Sequence, residues 1–329
     1  KYDGSYWQDD VPIWDHQNIK GHAVRAAYLM SGTTDIAAQT GDERLLAMLD
    51  RVWRNTTERN QYITGGIGPS AHNEGFTVDY DLPNLTAYQE TCATIALAQW
   101  AHRLALLYGE SRYADALERA LYNGVLSGVS QDGMKFFYVN PLESAGAHHR
   151  SPWFGCACCP PNVTRTLAAL GGYAYAIGPD SLYVNLYIQG SARAKVGKTA
   201  VDLKVTTDYP WDGRVALELN PAAQAGFALR LRVPGWCANP TITVNHRAQQ
   251  KMTREHGYLV LDREWKRGDQ VELVLPMPVQ RIAANPNVKA DQGLLALQRG
   301  PIVYCLEQCD QGEPLAALWL PLETGLKAS

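Results

Sequence analysis

The stretch GCACCPPN at positions 155–162 places three of the chain's seven cysteines within four residues. Cysteine is often a small buried apolar residue, but three thiols in one loop are unusual for packing alone. A disulfide between the neighbours Cys158 and Cys159 would close a strained ring. An odd number of cysteines, clustered instead of spread, argues against a disulfide framework, so reduced thiols or a metal site fit better.

Cys92 is the one other cysteine before residue 178, and Glu90 lies two residues ahead of it. A structural zinc site commonly uses closely spaced pairs of ligands. Zinc bound by Cys158 and Cys159 would need ligands from elsewhere, and Glu90 and Cys92 are candidates. Positions i and i+2 do not share a face of an α-helix, so we expect both to precede the regular helix predicted from residue 94.

Two prolines follow the cysteine cluster, and they predict where the next helix begins. Proline is favoured in the first turn, so Pro160 and Pro161 should open a helix over residues 162–175. Cys158 and Cys159 would then lie at a helix N-terminus, where the macrodipole and a nearby cation favour the thiolate. We therefore predict a reactive or metal-bound thiolate.

Glu74 and His22 add groups that could transfer protons or bind a ligand. In isolation, Glu74 fits a solvated loop carboxylate as well as a functional one, whereas a histidine such as His22 is more often a helix-surface or core residue than a ligand-binding one. Glycines at positions 65, 66, 68 and 75 would let the backbone approach a ligand closely. The adjacent pair His148 and His149 is more typical of a solvated loop than of a chelate.

The elements that must position these groups are helices in the first half and strands in the second. A period of 3.6 predicts helices over residues 22–30, 42–53, 94–108, 113–125 and 162–175. The irregular connections 65–84 and 131–161 are long enough to suggest functional loops. From residue 182 the period becomes two, which predicts strands at 182–188, 215–219, 228–233, 258–261, 271–275 and 302–306 and an antiparallel β-sandwich.

Composition excludes several classes of protein. With 46% apolar and 19% charged residues, the chain is typical of a globular protein of two or three domains. A net charge of -3 and a pI near 6.3 give no reason to expect nucleic acid. No apolar run reaches membrane-spanning length, and no secretory signal opens the chain, so we expect a cytoplasmic protein. Because no initiator Met opens the chain, we expect it to lack the start of a longer parent, with a missing end as a further option.

At the candidate residues the sequence resembles the β-L-arabinofuranosidases of glycoside hydrolase family 127. The matching motifs are GHAVRA at 21–26, TGGIG at 64–68, EGFTVDYDLPN at 74–84, ETC at 90–92 and CCPPN at 158–162. LRVPGW at 231–236 and RGPIVY at 299–304 resemble the family's β-sandwich segments. The resemblance covers nearly the whole chain, and Glu-x-Cys with Cys-Cys-Pro-Pro is highly specific.

The resemblance implies an α+β multidomain protein with part of an (α/α)6 barrel followed by antiparallel β-sandwich domains. Residues 1–178 would be the C-terminal half of the catalytic barrel, 179–278 a β-sandwich, and 279–329 a partial second one. It implies a Zn²⁺ ion held by four ligands, and roles for three further residues. The ligands would be Glu90, Cys92, Cys158 and Cys159; Cys158 would also be the nucleophile, Glu74 the general acid/base, and His22 and Tyr80 would bind sugar.

The implied activity is retaining hydrolysis that releases L-arabinose from β-L-arabinofuranosides. The substrate would be a plant-derived arabinofuranosyl oligosaccharide or glycoconjugate, with no nucleic acid or membrane partner and with a homodimer as one option for assembly. Two alternatives stay open: hydrolysis of another plant cell-wall furanoside, and a non-catalytic carbohydrate-binding protein with structural zinc. Glu74 argues against the second alternative, because a purely structural zinc site does not require this additional carboxylate.

Overall fold

The computed structural model of the chain describes residues 3–321 and 323–328. Helices dominate its first half, with longer elements joined by irregular segments. They are α1 (Ala23–Thr40), α2 (Glu43–Arg59), α3 (Thr91–Tyr108), α4 (Ser111–Ala120), α5 (Cys159–Ala169) and α6 (Gly171–Ala174). α4 continues through a π-helical turn, Leu121–Val125, into a short 3-10 turn, Leu126–Gly128. No helix in the described part of the chain has both the length and the apolar character to cross a membrane.

α3 is the central helix of this half and packs against α1, α4 and α5. Its apolar side chains lie in one large core together with residues of α1, α2 and α4. Trp100 is fully buried there and meets Trp53 of α2 edge to face, with ring centroids 4.9 Å apart. α2 begins where Asp42 accepts hydrogen bonds from the backbone N–H groups of Arg44 and Leu45, which satisfies two otherwise free donors.

Two predicted helix starts are wrong, and both errors concern the candidate metal ligands. α3 begins at Thr91, so Cys92 lies inside its first turn and only Glu90 precedes it. α5 begins at Cys159, with Cys158 as its N-cap and the prolines inside the first turn. Residues i and i+2 point to different faces only when both are helical. Glu90 lies just outside α3 and has the non-helical dihedrals φ −54° and ψ 133° of a capping residue, so this restriction does not apply to Glu90 and Cys92.

The second half consists of strands in three sheets. They are β1 (Tyr175–Ile177), β2 (Ser181–Val184), β3 (Gly190–Val196), β4 (Thr199–Thr207), β5 (Arg214–Pro221), β6 (Ala225–Arg232), β7 (Thr241–Val244), β8 (Arg247–Ala248), β9 (Thr253–Glu255), β10 (Tyr258–Trp265), β11 (Asp269–Val274), β12 (Val279–Ile282), β13 (Ala296–Arg299) and β14 (Ile302–Tyr304). The sheet orders are β1-β2-β6-β10-β9, β3-β4-β5-β11-β7-β8 and β12-β13-β14.

Each of the two larger sheets contributes its buried face to a shared apolar core. Leu229 of β6 and Leu217 of β5 belong to that core, and alternate residues along both strands point into it. Most neighbouring strands are antiparallel, as predicted, but β2 and β6 run parallel, with Leu182 opposite Leu229. The predicted strand 182–188 ends early, at Val184, because Asn185 turns toward the helices: its backbone N–H bonds the Ala174 carbonyl.

A buried arginine joins the helices to the sheets. Arg232, at the end of β6, is fully buried and pairs with Asp115 (Nη1 to Oδ1, 2.5 Å) and with Glu118 of α4. Its Nε donates to the Asn185 carbonyl, and Tyr209 donates its hydroxyl proton to Glu118 at 2.6 Å. The buried charges therefore satisfy one another across this junction, and the junction depends on all of them.

Replacing Arg232 should destabilise the whole chain. Arg232→Met leaves Glu118 buried without its cation, which we expect to cost about 3–5 kcal/mol of unfolding free energy. The matched control is Arg193→Met, which removes a solvent-exposed pair with Asp202 and should leave the unfolding free energy close to the wild-type value. Urea unfolding of the two variants measures the difference. Equal losses would show that the junction does not depend on the buried pair.

Candidate metal centre and catalytic cavity

Two irregular segments, 60–90 and 129–158, surround the starts of α1, α3 and α5. Isolated β-bridges hold each in shape, including His22 with Gly75 in the first and Phe136 with Ser151 in the second. These segments contain the long loops predicted to be functional, and they carry Glu74, Glu90 and Cys158.

Glu74 and His22 form a pair at the start of α1. His22 Nε2 lies 2.9 Å from Glu74 Oε2, and the Glu74 carbonyl accepts the Ala23 N–H at 3.0 Å. The backbones touch because residue 75 is glycine: a Cβ there would lie 1.8 Å from the Gly21 carbonyl oxygen. Glu74 itself adopts φ +49°, in the left-handed region that side chains disfavour. This constrained backbone aims the carboxylate at the cavity, where its side chain is 41% exposed.

The predicted metal ligands converge on one point. One ligand atom from each of Glu90, Cys92, Cys158 and Cys159 lies within 4.8 Å of the others. Cys158 Sγ is 3.1 Å from Glu90 Oε1 and 3.6 Å from Cys159 Sγ, and Cys159 Sγ is 3.6 Å from Glu90 Oε1. The starts of α3 and α5 therefore bring together two pairs of donor groups from distant parts of the sequence.

The donor set fits a zinc ion. Tetrahedral zinc with Zn–S bonds of about 2.3 Å separates two sulfurs by about 3.8 Å, near the observed Cys158–Cys159 separation. Glu90 is buried, and its Oε2 has no hydrogen-bond partner within the described part of the chain, which is costly for a carboxylate oxygen. Three soft sulfurs and one oxygen suit zinc better than calcium or magnesium, which prefer oxygen ligands alone.

His22, Glu74 and Glu90 form a second group whose ligand atoms lie within 4.8 Å of one another. This group could also hold an ion, but His22 and Glu74 already pair with each other. Glu90 belongs to both groups, so the Glu74 carboxylate lies close to the thiol cluster. The thiol set is therefore the better candidate for a metal site.

The thiols differ in acidity without a metal. Burial raises the pKa of Cys158 to about 12, helped by its contact with Glu90. Hydrogen bonding to Cys92 and burial raise the pKa of Cys159 far above its ordinary value, whereas hydrogen bonds from Cys159 and Asn162 lower the pKa of Cys92. Three thiols beside a buried carboxylate thus cannot all ionise unless a cation joins them.

Tyr138 is a site residue that sequence reasoning missed. Its hydroxyl lies 3.1 Å from Cys158 Sγ, and burial followed by the hydrogen bond to Cys158 raises the pKa of Tyr138 well above its ordinary value. Tyr88 reaches the other carboxylate, with its hydroxyl 3.4 Å from Glu74 Oε1. No spacing signal marks Tyr138, although it lies in a segment predicted to be functional.

These groups line a cavity of about 480 Å³, within the usual range for small-ligand sites. His22, Glu74, Glu90, Cys92 and Cys158 contribute to its wall, together with Tyr138 and the unassigned Cys156.

The predicted sugar-binding Tyr80 does not appear in that wall. It packs on a separate small cluster with Tyr62, Leu82 and Val288, and Arg59 lies over its ring. The structure therefore brings together every predicted site residue except Tyr80.

Gln89 and Asn140 hold the two irregular segments together. Gln89 Nε2 donates to the Asn140 carbonyl at 2.8 Å, and Asn140 Nδ2 donates to the Gln89 carbonyl at 2.9 Å. Asn140 also donates to Thr91 Oγ1 at 3.0 Å. Gln89 is buried with φ +38°, so this reciprocal pair stabilises a strained backbone immediately before Glu90. It sets Glu90 and Tyr138 in fixed relative positions.

Family models match along almost the entire chain. They are described as the catalytic domain of the GH127 β-L-arabinofuranosidases over residues 3–172, the middle domain over 181–277, and the C-terminal domain of glycoside hydrolase family 127 over 279–328. A curated relative, the non-reducing end β-L-arabinofuranosidase of Bifidobacterium longum subsp. longum, is 37% identical over 94% of this chain and 49% of its own length.

Solved structures of GH127 enzymes also superpose closely on the chain. A GH127 β-L-arabinofuranosidase from Geobacillus stearothermophilus T6 superposes with a TM-score of 0.94 at 45% identity, covering 97% of this chain and 52% of that one. A second GH127 β-arabinofuranosidase superposes at 0.90 and 44% identity, covering 93% and 51%. The chain spans about half the length of these relatives.

The Gln89–Asn140 pair gives a stability test of the site's framework. Asn140→Ala removes the side-chain hydrogen bonds to the Gln89 carbonyl and to Thr91 Oγ1, whereas the Asn140 backbone carbonyl can still accept from Gln89, so we expect about 1–3 kcal/mol lower unfolding free energy, measured in urea. The control, Asn287→Ala, lies in an exposed turn and should change stability by less than about 0.5 kcal/mol. A loss for Asn140→Ala no larger than the control's would contradict this role.

Proposed function

The chain belongs to glycoside hydrolase family 127, and on that premise we propose that it provides the catalytic site of a retaining β-L-arabinofuranosidase. The observation that carries the proposal is the placement of the Cys158 thiol and the Glu74 carboxylate on one cavity, with Glu90 beside both. A nucleophile and a proton donor facing the same space are what retaining hydrolysis of a glycoside requires.

Zinc would be held by the four converging groups, Glu90, Cys92, Cys158 and Cys159. Bound there, it would keep the Cys158 sulfur in the nucleophilic thiolate form at neutral pH. Held by four protein groups, the ion would activate one of its own ligands, the Cys158 thiol, as the nucleophile.

In the first step, the Cys158 sulfur attacks the anomeric carbon of the furanoside. A C–S bond forms, the bond to the leaving oxygen breaks, and protonated Glu74 gives its proton to that oxygen. His22 and Tyr88 both contact the Glu74 carboxyl and orient it, and Tyr138 contacts the attacking sulfur.

In the second step, Glu74 acts as base. It takes a proton from a water that attacks the anomeric carbon, the C–S bond breaks, and Cys158 recovers its electron pair. Two displacements at one carbon restore the original configuration, so the released L-arabinose keeps the β configuration at first. We propose that His22, next to Glu74, binds the sugar hydroxyls, and that Tyr138 on the cavity wall takes the sugar-binding role that the sequence predicted for Tyr80.

The finer architecture is part of the same proposal. We propose that residues 1–178 form part of an (α/α)6 barrel, 179–278 a β-sandwich and 279–329 part of a second one. The shared core of the two larger sheets supports the sandwich, and the close superposition on family structures supports the division. The substrate would be a plant-derived arabinofuranosyl oligosaccharide or glycoconjugate, and the name of the curated relative supports the arabinofuranosyl part.

Site variants test the catalytic roles. Cys158→Ser should lower kcat on an aryl β-L-arabinofuranoside by at least about 10³-fold, because the nucleophile is lost. Glu74→Gln should lower it by about 10²–10⁴-fold, and azide, which needs no base, should restore product formation as the glycosyl azide. Cys305→Ser, which replaces an exposed cysteine just after β14 that does not line the cavity, is the matched control and should keep activity. Substantial activity in Cys158→Ser would refute the nucleophile assignment. A wild-type protein that binds arabinosides without turnover would favour the carbohydrate-binding alternative.

Metal binding should release protons. Cys158 and Cys159 are protonated at pH 7 in the metal-free protein because their pKa values are raised, so zinc must displace at least about two protons. Affinity should therefore rise about 100-fold for each pH unit between pH 6 and 8. Isothermal titration in buffers of different ionisation enthalpy counts the protons, with magnesium as the control ion. A pH-independent zinc affinity would contradict the thiol ligand set.

A further inference from the structure

The two carboxylate oxygens of Glu90 have different surroundings. Oε1 lies 3.1 Å from Cys158 Sγ and 3.6 Å from Cys159 Sγ, so this oxygen faces the thiol set. Oε2 is buried and has no hydrogen-bond partner among the described residues, and the whole residue is 3% exposed. A buried carboxylate oxygen without a partner is costly, and zinc held by the thiols through Oε1 would still leave Oε2 unpaired. Glu90 therefore has one oxygen available for a second cation.

His22 and Glu74 supply groups that could share that cation. One ligand atom from each lies within 4.8 Å of the other and of one from Glu90. His22 Nε2 and Glu74 Oε2 are 2.9 Å apart, whereas two ligand atoms on one tetrahedral zinc ion, each at about 2.0–2.1 Å from it, are about 3.4 Å apart. A shift of about 0.5 Å would thus open the pair for an ion. One imidazole nitrogen and two carboxylates are a donor set that suits zinc.

The charge of the cavity favours a second cation at this place. With zinc bound, three thiolates and the Glu90 carboxylate would leave the thiol set with two net negative charges, and the Glu74 carboxylate lies beside it. Arg25 and Arg165 also line the cavity, but both are exposed, so solvent and salt screen their charges more than the charge of the buried carboxylate. The balance at the His22–Glu74 pair is therefore negative.

Two features make this second group a weaker zinc site than the thiol set. His22 Nδ1 is buried without a hydrogen-bond partner in the described part of the chain, so no second hydrogen bond orients the ring as that of a permanent ligand is oriented. The Glu74 side chain is 41% exposed and lines the cavity, so an ion can enter from solvent and leave again. Zinc should therefore fill the thiol set first and exchange more readily at the second group.

We propose that His22, Glu74 and Glu90 form a second, inhibitory zinc site that shares the Glu90 carboxylate with the thiol set. Zinc bound to one oxygen of Glu74 keeps this carboxyl group ionised, so Glu74 no longer donates a proton to the leaving oxygen. The inhibitory role rests on the acid/base function proposed above for Glu74, whereas binding of the ion does not depend on that function.

Counting bound zinc tests the site directly. The metal-free chain is dialysed against buffered zinc at a series of free concentrations, and bound zinc is measured by elemental mass spectrometry. Wild type should bind about one zinc per chain at low free zinc and about two at higher concentrations. His22→Gln and Glu74→Gln should each keep the first zinc and lose the second. His72→Gln is the matched control and should bind both, because His72 is exposed, lies near Glu74 in the chain and belongs to neither ligand group.

The zinc count separates this inference from the metal site at the thiol set. A wild-type chain that never binds more than one zinc would overturn the second site alone. A second zinc that both His22→Gln and Glu74→Gln retain would also overturn it, because that ion must then lie elsewhere. A chain that binds no zinc would overturn the thiol site and the second site together.

Activity on an aryl β-L-arabinofuranoside gives the second readout. In wild type and in His72→Gln, activity should fall by half at the free zinc concentration that half-fills the second site, and a chelator that removes only this zinc should restore it. Full activity with the second site filled would overturn the inhibitory role. A chain that is inactive at every zinc concentration would overturn the proposed hydrolase function and the inhibitory role with it, while the zinc count would still decide whether the second site exists.

Discussion

The site depends on two helices, α3 and α5, beginning at the same place. Each helix start presents a cap and a first-turn residue, Glu90 with Cys92 and Cys158 with Cys159, and the positive ends of both macrodipoles point at the anions that these groups become. Ile95 and Val163 pack between the helices just behind this point, so the separation of the four ligand atoms is set by an apolar contact. Moving either helix by one residue would separate the ligand set.

The surrounding structure keeps the starts of α3 and α5 next to each other. The strained residues Glu74 and Gln89 lie on the segment that approaches the helix starts, and each is held by hydrogen bonds to a distant part of the chain. Strain of this kind persists only where the surroundings over-determine it. The buried Arg232 pairs fix α4 to the sheets, and α4 in turn packs on α3. Loss of the Arg232 pairs should therefore displace α4 and, through its packing on α3, the candidate metal ligands at the start of α3.

Most of the candidate site is predictable from the sequence because its residues carry strong local signals. Clustered thiols, a Glu-x-Cys pair and two prolines are rare in combination, and they point to the four residues whose donor atoms converge. The predicted start of α3 is wrong because the argument from i and i+2 treats Glu90 as a helical residue, whereas a capping residue has its own backbone conformation. Tyr138, the Gln89–Asn140 pair and the parallel pairing of β2 with β6 escape prediction because each depends on contacts between distant segments, which no local pattern reports.

The central claim is that the Cys158 sulfur is the atom that attacks the sugar. The most direct measurement is peptide mapping by mass spectrometry after the protein has been incubated with a β-L-arabinofuranoside that carries a soft electrophile, such as a bromoacetamide group, at the anomeric position. Our account predicts a single adduct on the peptide that contains Cys158, and none on that peptide when free L-arabinose saturates the cavity. An adduct on Glu74, or labelling that free arabinose does not prevent, would contradict it.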